Sequence, residues 1–179
     1  EKLITDHAWR IARKTMNYAV PEGQPLMVSL AGQPFIDTRL SFHSYLPENL
    51  DPNICNKLVN AWVQKLKDNP ELHDKIEFDV AFTIWTPGFF ENASLRLIPY
   101  SVTPEDISQL EIALKKVTCK AFIRLHDDMA SVKQLKQRRQ TIVASNLPLV
   151  DKIFILLDDC KRFGTLAFSH VARAGFVAT

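Results

Sequence analysis

The chain has 179 residues, 46% of them hydrophobic and 23% charged, with a formal net charge of +2. That balance suits one domain with a sizeable core, or one domain with a helical extension, and gives no reason to expect a nucleic-acid or membrane partner. No apolar run reaches membrane-spanning length, and the opening EKLITDHAWR is not a signal peptide.

In chain order, Leu3, Ile4, Trp9, Ile11, Ala12 and Met16 recur at helical spacing and predict a helix over 2–18. VPEGQP is a loop by its Pro and Gly. The β-rich runs LMVSL (26–30) and FIDTRLSFHSY (35–45), joined by a short Gly-containing connector, predict a hairpin. In the second run Phe35, Asp37, Arg39, Ser41 and His43 share a face. Asp51 as N-cap and Pro52 at the first helical position open a helix over 53–68 that turns Ile54, Leu58, Val59, Trp62, Val63 and Leu66 inward, and Asn69-Pro70 ends it. KIEFDVAFTIW (75–85) alternates in polarity and predicts a third, half-buried strand. TPGFFENAS reads as a loop and LRLIPY as a fourth extended piece. Thr103-Pro104-Glu105-Asp106 is a strong helix start. It opens a helix over 104–126, followed by a second over 129–144. Ser145 or Asn146 then caps a last helix near Pro148, with Gly164 as a break before the pattern resumes in AFSHVARAGFVA. The fold class is α+β: a small antiparallel sheet in the N-terminal half packed with helices, and a mostly helical C-terminal half.

The three cysteines, Cys55, Cys119 and Cys160, are widely spaced and form no CxxC. They read as reduced, cytosolic thiols and place the chain in the cytoplasm. The chain begins at Glu and ends in the apolar GFVAT, so both ends look cut and 1–179 reads as a single domain or fragment of a longer protein.

Candidate chemistry is sparse. On a strand, Asp37 and Arg39 point to one side, as the floor of a ligand site or as an ion pair on a solvated sheet face; spacing alone favours the ion pair. If strand 75–85 lies beside strand 35–45, then Asp37, Arg39, His43, Lys75 and Glu77 converge, with His73 just before the strand, and bring charge of both signs, as an amino-acid zwitterion requires. The other reading is an exposed charged face. Asp158 and Arg162 stand at i,i+4, a favourable helical pair. KQLKQRRQ (133–140) lacks interleaved aromatics and reads as a solvated helix face. No histidine pair has metal-ligand spacing, and no phosphate loop, dinucleotide fingerprint or nucleophile elbow occurs. His170, inside the helical run FSHVARAGF, reads as structural on these grounds.

Four segments carry a resemblance: LITDHAW (3–9), PLMVSLAGQPFIDTRLSFHSYLP (25–47), KLVNAWVQKLKDNPELHDKIEFDVAFT (57–83) and LLDDCKRFGTLAFSHVARAGF (156–176). Together they resemble the middle region of phosphoenolpyruvate synthase-like proteins, which include the glutamine kinases of bacterial capsule clusters. The resemblance covers most of the chain and is weaker over 86–145. It implies a parent with an ATP-grasp domain and a swivelling phosphohistidine domain as partners, with this chain lying between them. It implies ATP and Mg2+ for the parent, with AMP and phosphate released, and no cofactor held by this fragment. The acceptor is a small molecule such as glutamine or pyruvate. The family's carrier histidine follows a Gly pair, as in GGxxSHxA; here Gly164-Thr165-Leu166-Ala167-Phe168 precedes Ser169-His170, so His170 is not expected to carry phosphate. By resemblance and face geometry together, Asp37, Arg39, His73, Lys75 and Glu77 would surround the acceptor, with Arg162, Thr165 and Arg173 joining from the helical segment. Arg39 or Arg173 would hold a carboxylate, and Glu77 or Asp37 an amino group. A structural docking domain that sets the swivel geometry, or an independent small-ligand module, are the competing expectations.

Overall fold

The structure is a computed structural model that describes residues 2–21 and 23–160. Its fold is α+β: the described residues are mostly helical and include a two-stranded antiparallel sheet in the N-terminal half. It falls into two compact units, Glu1–Thr118 and Cys119–Thr179, the division lying within a long helix.

The first unit opens with α1 (Lys2–Thr15). Strands β1 (Met27–Leu30) and β2 (Gln33–Ile36) follow, in register Met27 to Ile36 and Leu30 to Gln33. Ala31 (φ 50°) and Gly32 (φ 79°) turn the hairpin. Both central residues have positive φ, the geometry whose twist matches the flanking strands.

The expected second strand over 35–45 is cut short. Asp37 is extended, and its carboxylate accepts the Leu40 main-chain N–H at 2.9 Å. That side-chain cap starts α2 (Thr38–His43), so Asp37 and Arg39 do not share a strand face. α3 (Pro52–Asp68) forms as its sequence predicts, with Asp51 accepting from Asn53 and Ile54 and Pro52 at the first position.

The expected third strand is absent. Residues Pro70–Asp74 form a 3-10 turn and Ile76–Val80 a π-helical turn, followed by irregular backbone. With β2 ending at Ile36, this stretch has no strand edge beside it to pair with. Four successive residues, Val80 to Thr83, are buried, which an alternating strand does not permit. The loop expected over 86–94 and the extended piece after it are also corrected. Gly88, at φ 74°, leads into α4 (Phe89–Leu97), whose Phe89, Ala93 and Leu97 lie four apart on one buried face. A 3-10 turn, Ile98–Tyr100, ends it.

The two helices expected over 104–144 are one: α5 (Pro104–Ala144), 41 residues long. After Pro104 it contains neither Pro nor Gly, so nothing interrupts its hydrogen-bond ladder. The Thr103 hydroxyl accepts from the Asp106 N–H at 3.2 Å and the Asp106 carboxylate from the Thr103 N–H at 3.1 Å, a reciprocal cap. In the second unit α6 (Leu149–Asp159) starts after Pro148, which caps through its carbonyl alone; neither Ser145 nor Asn146 supplies the expected side-chain cap.

The main core of the first unit joins α2, α3, the 80–82 segment, α4 and the start of α5. Trp62, Leu58 and Val59 are fully enclosed, with Leu46, Val80, Ala93, Ile107, Leu110 and Leu114 around them. The Phe42 and Trp62 rings meet edge to face, 5.9 Å between centroids. A smaller cluster, Ala12, Met16, Tyr18 and Val117, seats α1.

Candidate functional site

The strand faces expected to build a pocket do not form: residues 38–43 are helical and 76–80 make a π-helical turn. The Asp37 carboxylate is used as a helix cap. Arg39, exposed on α2, donates to the Asn60 side chain on α3. His73 is exposed on its 3-10 turn, with Nδ1 3.2 Å from the Pro70 carbonyl of the same turn. Lys75 is exposed where that turn meets the π-helical one. Glu77 stands 3.7 Å from the Arg13 guanidinium. Arg162, Thr165, His170 and Arg173 lie outside the described residues. Each of Asp37, Arg39, His73 and Glu77 is thus given a partner other than the rest of the expected set.

The missing strands bring other groups together. Arg13 on α1 lies over the Tyr45 ring, 4.7 Å from its centroid, and 5.7 Å from that of Tyr18. Burial raises the pKa of the Tyr45 hydroxyl, and the nearby Glu77 charge raises it further. The Tyr18 hydroxyl donates to the Thr83 carbonyl. This cluster ties α1 to the Ile76–Val80 turn; Tyr18 and Tyr45 are buried and Glu77 is exposed.

Beside it is an open cleft of about 530 Å³. It is lined by the charged Arg10 and Lys14 of α1 and Glu48 of a later loop, together with the largely apolar Ile11, Tyr18, Ala19, Val20 and Pro21. Arg10 and Lys14 are i,i+4 and so share one side of the helix. Arg10 is held by the main-chain carbonyls of Pro21 (2.8 Å) and Gln24 (2.6 Å), which fixes the loop it grips. Glu48 arrives through a short antiparallel bridge: Tyr18 pairs with Pro47, Ala19 N–H donates to Leu46, and Glu48 N–H donates to Asn17. Asn17 takes φ 61°, a conformation its side chain tolerates better than most, and so turns the chain off α1 into that bridge. A lining of two cations, one carboxylate and apolar side chains suits a small acid with a second polar group.

The sequence pattern singles out neither Arg10 nor Lys14, although their i,i+4 spacing on α1 is a signal that could have paired them. Glu48 was not to be found that way, because a long-range bridge places it. Among the described residues no group of three or more His, Cys, Asp or Glu side chains stands ready for a metal ion, and no helix is long and apolar enough to cross a membrane. Compared with protein-family models, curated proteins and solved structures, the chain matches none.

Proposed function

We propose that this chain is the middle, acceptor-side part of an ATP-dependent phosphotransferase of the phosphoenolpyruvate synthase and glutamine kinase type. The cleft between Arg10, Lys14 and Glu48 carries the reading: its mixed charge and volume fit a small acid such as glutamine or pyruvate. In this proposal Lys14 attracts the acceptor carboxylate and Glu48 orients a second polar group, while Arg10 keeps the loop wall in place. Binding the acceptor in one fixed pose supplies proximity to a phosphohistidine delivered by a swivelling domain of the parent. ATP and Mg2+ belong to the parent's ATP-grasp domain, and the isolated chain is expected not to consume ATP. The three cysteines are free thiols, which supports a cytoplasmic location.

The test uses the full-length parent with ATP and either glutamine or pyruvate, followed by phosphorus NMR. AMP and phosphate with a phosphoramidate signal would make it an amide kinase, and AMP with phosphoenolpyruvate a synthase. Lys14→Met and Glu48→Gln are expected to raise the acceptor KM about tenfold or more while leaving the KM for ATP unchanged. Equal effects on both substrates, or none, would remove the cleft from the acceptor site.

One observation favours a second reading, a docking domain that sets the swivel geometry. Several of the charged side chains expected around a pocket are engaged locally: Asp37 as a cap, Arg39 with Asn60, and Glu77 with Arg13. Under that reading the parent turns over normally with both cleft variants.

A further inference from the structure

The second half of α5 carries a row of side chains that the rest of the described chain leaves uncovered. Phe122, Leu125, Met129 and Val132 follow one another at alternating steps of three and four residues, and Lys136, Arg139 and Val143 continue the same steps. That spacing sets side chains in one line along a helix and is the one by which two helices interlock. Phe122, Met129, Val132 and Val143 are between 40% and 56% exposed, and Lys136 and Arg139 are exposed with Lys133 beside them. These three cations make no hydrogen bond or ion pair among the described residues. Arg138 and the buried Ile142 point away from the row, and Arg138 donates to Asp159 of α6 at 2.7 Å, so α6 occupies the other side of α5.

The composition of the row decides what can cover it. Its first half is apolar and its second half cationic, and residues 129–150 contain no Asp or Glu to neutralise it. A cation buried in a seam between helices needs an acid opposite it. A second copy of this chain brings the same cations and no acid in its own row. Residues 161–179 contain Lys161, Arg162 and Arg173 and no acid, so they do not supply the missing charge either. A nucleic acid would neutralise the cations but leave Phe122, Met129 and Val132 in water. A helix that lies on a membrane keeps its cations on the polar face, whereas here they stand within the apolar line itself.

We propose that this face of α5 docks an acidic amphipathic helix of another protein. Apolar side chains of the partner cover Phe122, Leu125, Met129 and Val132, and its carboxylates meet Lys133, Lys136 and Arg139. The apolar half supplies the area removed from water, and the charged half sets the register and rejects basic helices.

The test measures fluorescence anisotropy of labelled synthetic helices of about four heptads with the 179-residue chain. Each has Leu along the core of one half and Glu along the other, made in both sequence directions so that parallel and antiparallel docking are sampled. Control peptides carry Lys in place of Glu. Saturable binding of one Glu peptide is expected, weakening as salt rises, with none for the Lys peptides. Lys136→Glu together with Arg139→Glu is expected to lose about tenfold or more in affinity for the Glu peptide and to gain binding of a Lys peptide. Met129→Ser is expected to weaken Glu-peptide binding about tenfold, which plain charge attraction would not show. These positions are exposed, and circular dichroism of each variant checks that the helices are kept. No saturable binding of either Glu peptide, equal affinity for Glu and Lys peptides, or no effect of Met129→Ser would overturn the proposal. So would a dimer in sedimentation equilibrium that Val132→Glu dissolves, which would give the face to a second copy. The row shares no residue with the Arg10, Lys14 and Glu48 cleft, so failure here leaves the acceptor-site reading to its own experiment.

Discussion

Helices α3 and α6 carry the same apolar spacing and opposite burial. In α3, Leu58, Val59 and Trp62 stand at i, i+1 and i+4 and are fully enclosed. In α6, Leu149, Val150 and Ile153 have that spacing too, yet they are exposed, as are Phe154 and Leu157. The contrast runs through the two units. The first has a continuous core, whereas among the described residues of the second Ile142 is the one apolar side chain that is buried. An apolar stripe thus specifies that a segment is helical and which side is apolar, but what covers that side depends on residues distant in sequence.

The sharpest way to break the comparison is to remove matching side chains from the two helices. Trp62→Ala is expected to cost about 3–5 kcal/mol, read as a fall in the urea midpoint, because the surrounding core cannot close over so large a void. A loss under 1 kcal/mol would mean that the first unit is as loosely covered as α6.

Asp106→Asn is next, at about 2 kcal/mol. The carboxylate caps α5 and accepts Lys57 Nζ at 2.8 and 3.1 Å, tying α3 to α5. Burial alone raises the Asp106 pKa, but hydrogen bonds from Lys57 and Thr103 outweigh it and hold it below 3.8. The unfolded chain then takes up the proton first as pH falls. This contribution is complete above the ordinary carboxylate value and lost as pH drops through the lower folded one. Asp106→Asn should flatten the acid limb of stability against pH, and an unchanged limb would contradict the tie.

Asp37→Ala should cost about 1 kcal/mol by loss of the α2 cap and leave the parent's acceptor KM unchanged. A large KM effect with no loss of stability would restore Asp37 to a binding role.

His43 has a smaller effect at milder pH. Burial lowers its pKa below 6.5, and the Arg39 charge adds to this against Asp37. The unfolded chain binds the proton more readily, so stability falls as pH drops below 6.5, and His43→Gln should remove that slope. Finally, Phe154→Ser should change stability by no more than about 0.5 kcal/mol, since its side chain is 67% exposed. A large loss in thermal denaturation would show α6 to be covered in solution and end the contrast.

Local signals carried far in this sequence, and tertiary ones did not. The starts of α3 and α5 were legible because Asp51-Pro52 and Thr103-Pro104 act within one turn of backbone. The inward face of α3 followed from periodicity. The 35–45 run looked like a strand because β-branched and aromatic residues alternate there, but one Asp37 hydrogen bond outweighed that preference. The 75–85 alternation failed for a different reason: a strand requires a partner, and the partner had already turned into α2. Phe89, Ala93 and Leu97 did announce α4, but the Pro-Gly ahead of them drew the reading toward a loop. The cleft residues Arg10, Lys14 and Glu48 were not singled out in the sequence, since Glu48 is brought to the same cleft as Arg10 and Lys14 by backbone pairing that no short-range pattern encodes.

The separate seat of α1 has a consequence for motion. Ala12, Met16, Tyr18 and Val117 form a cluster of their own, much smaller than the main core. Helix α1 is therefore positioned to detach as a unit at a lower free energy than global unfolding, so its amides should exchange with deuterium ahead of those of α3. Because Arg10 and Lys14 leave with the helix, the cleft exists only while α1 is docked. Any molecule that occupies it slows exchange along α1 in proportion to its occupancy, giving a readout of ligand binding that requires no turnover.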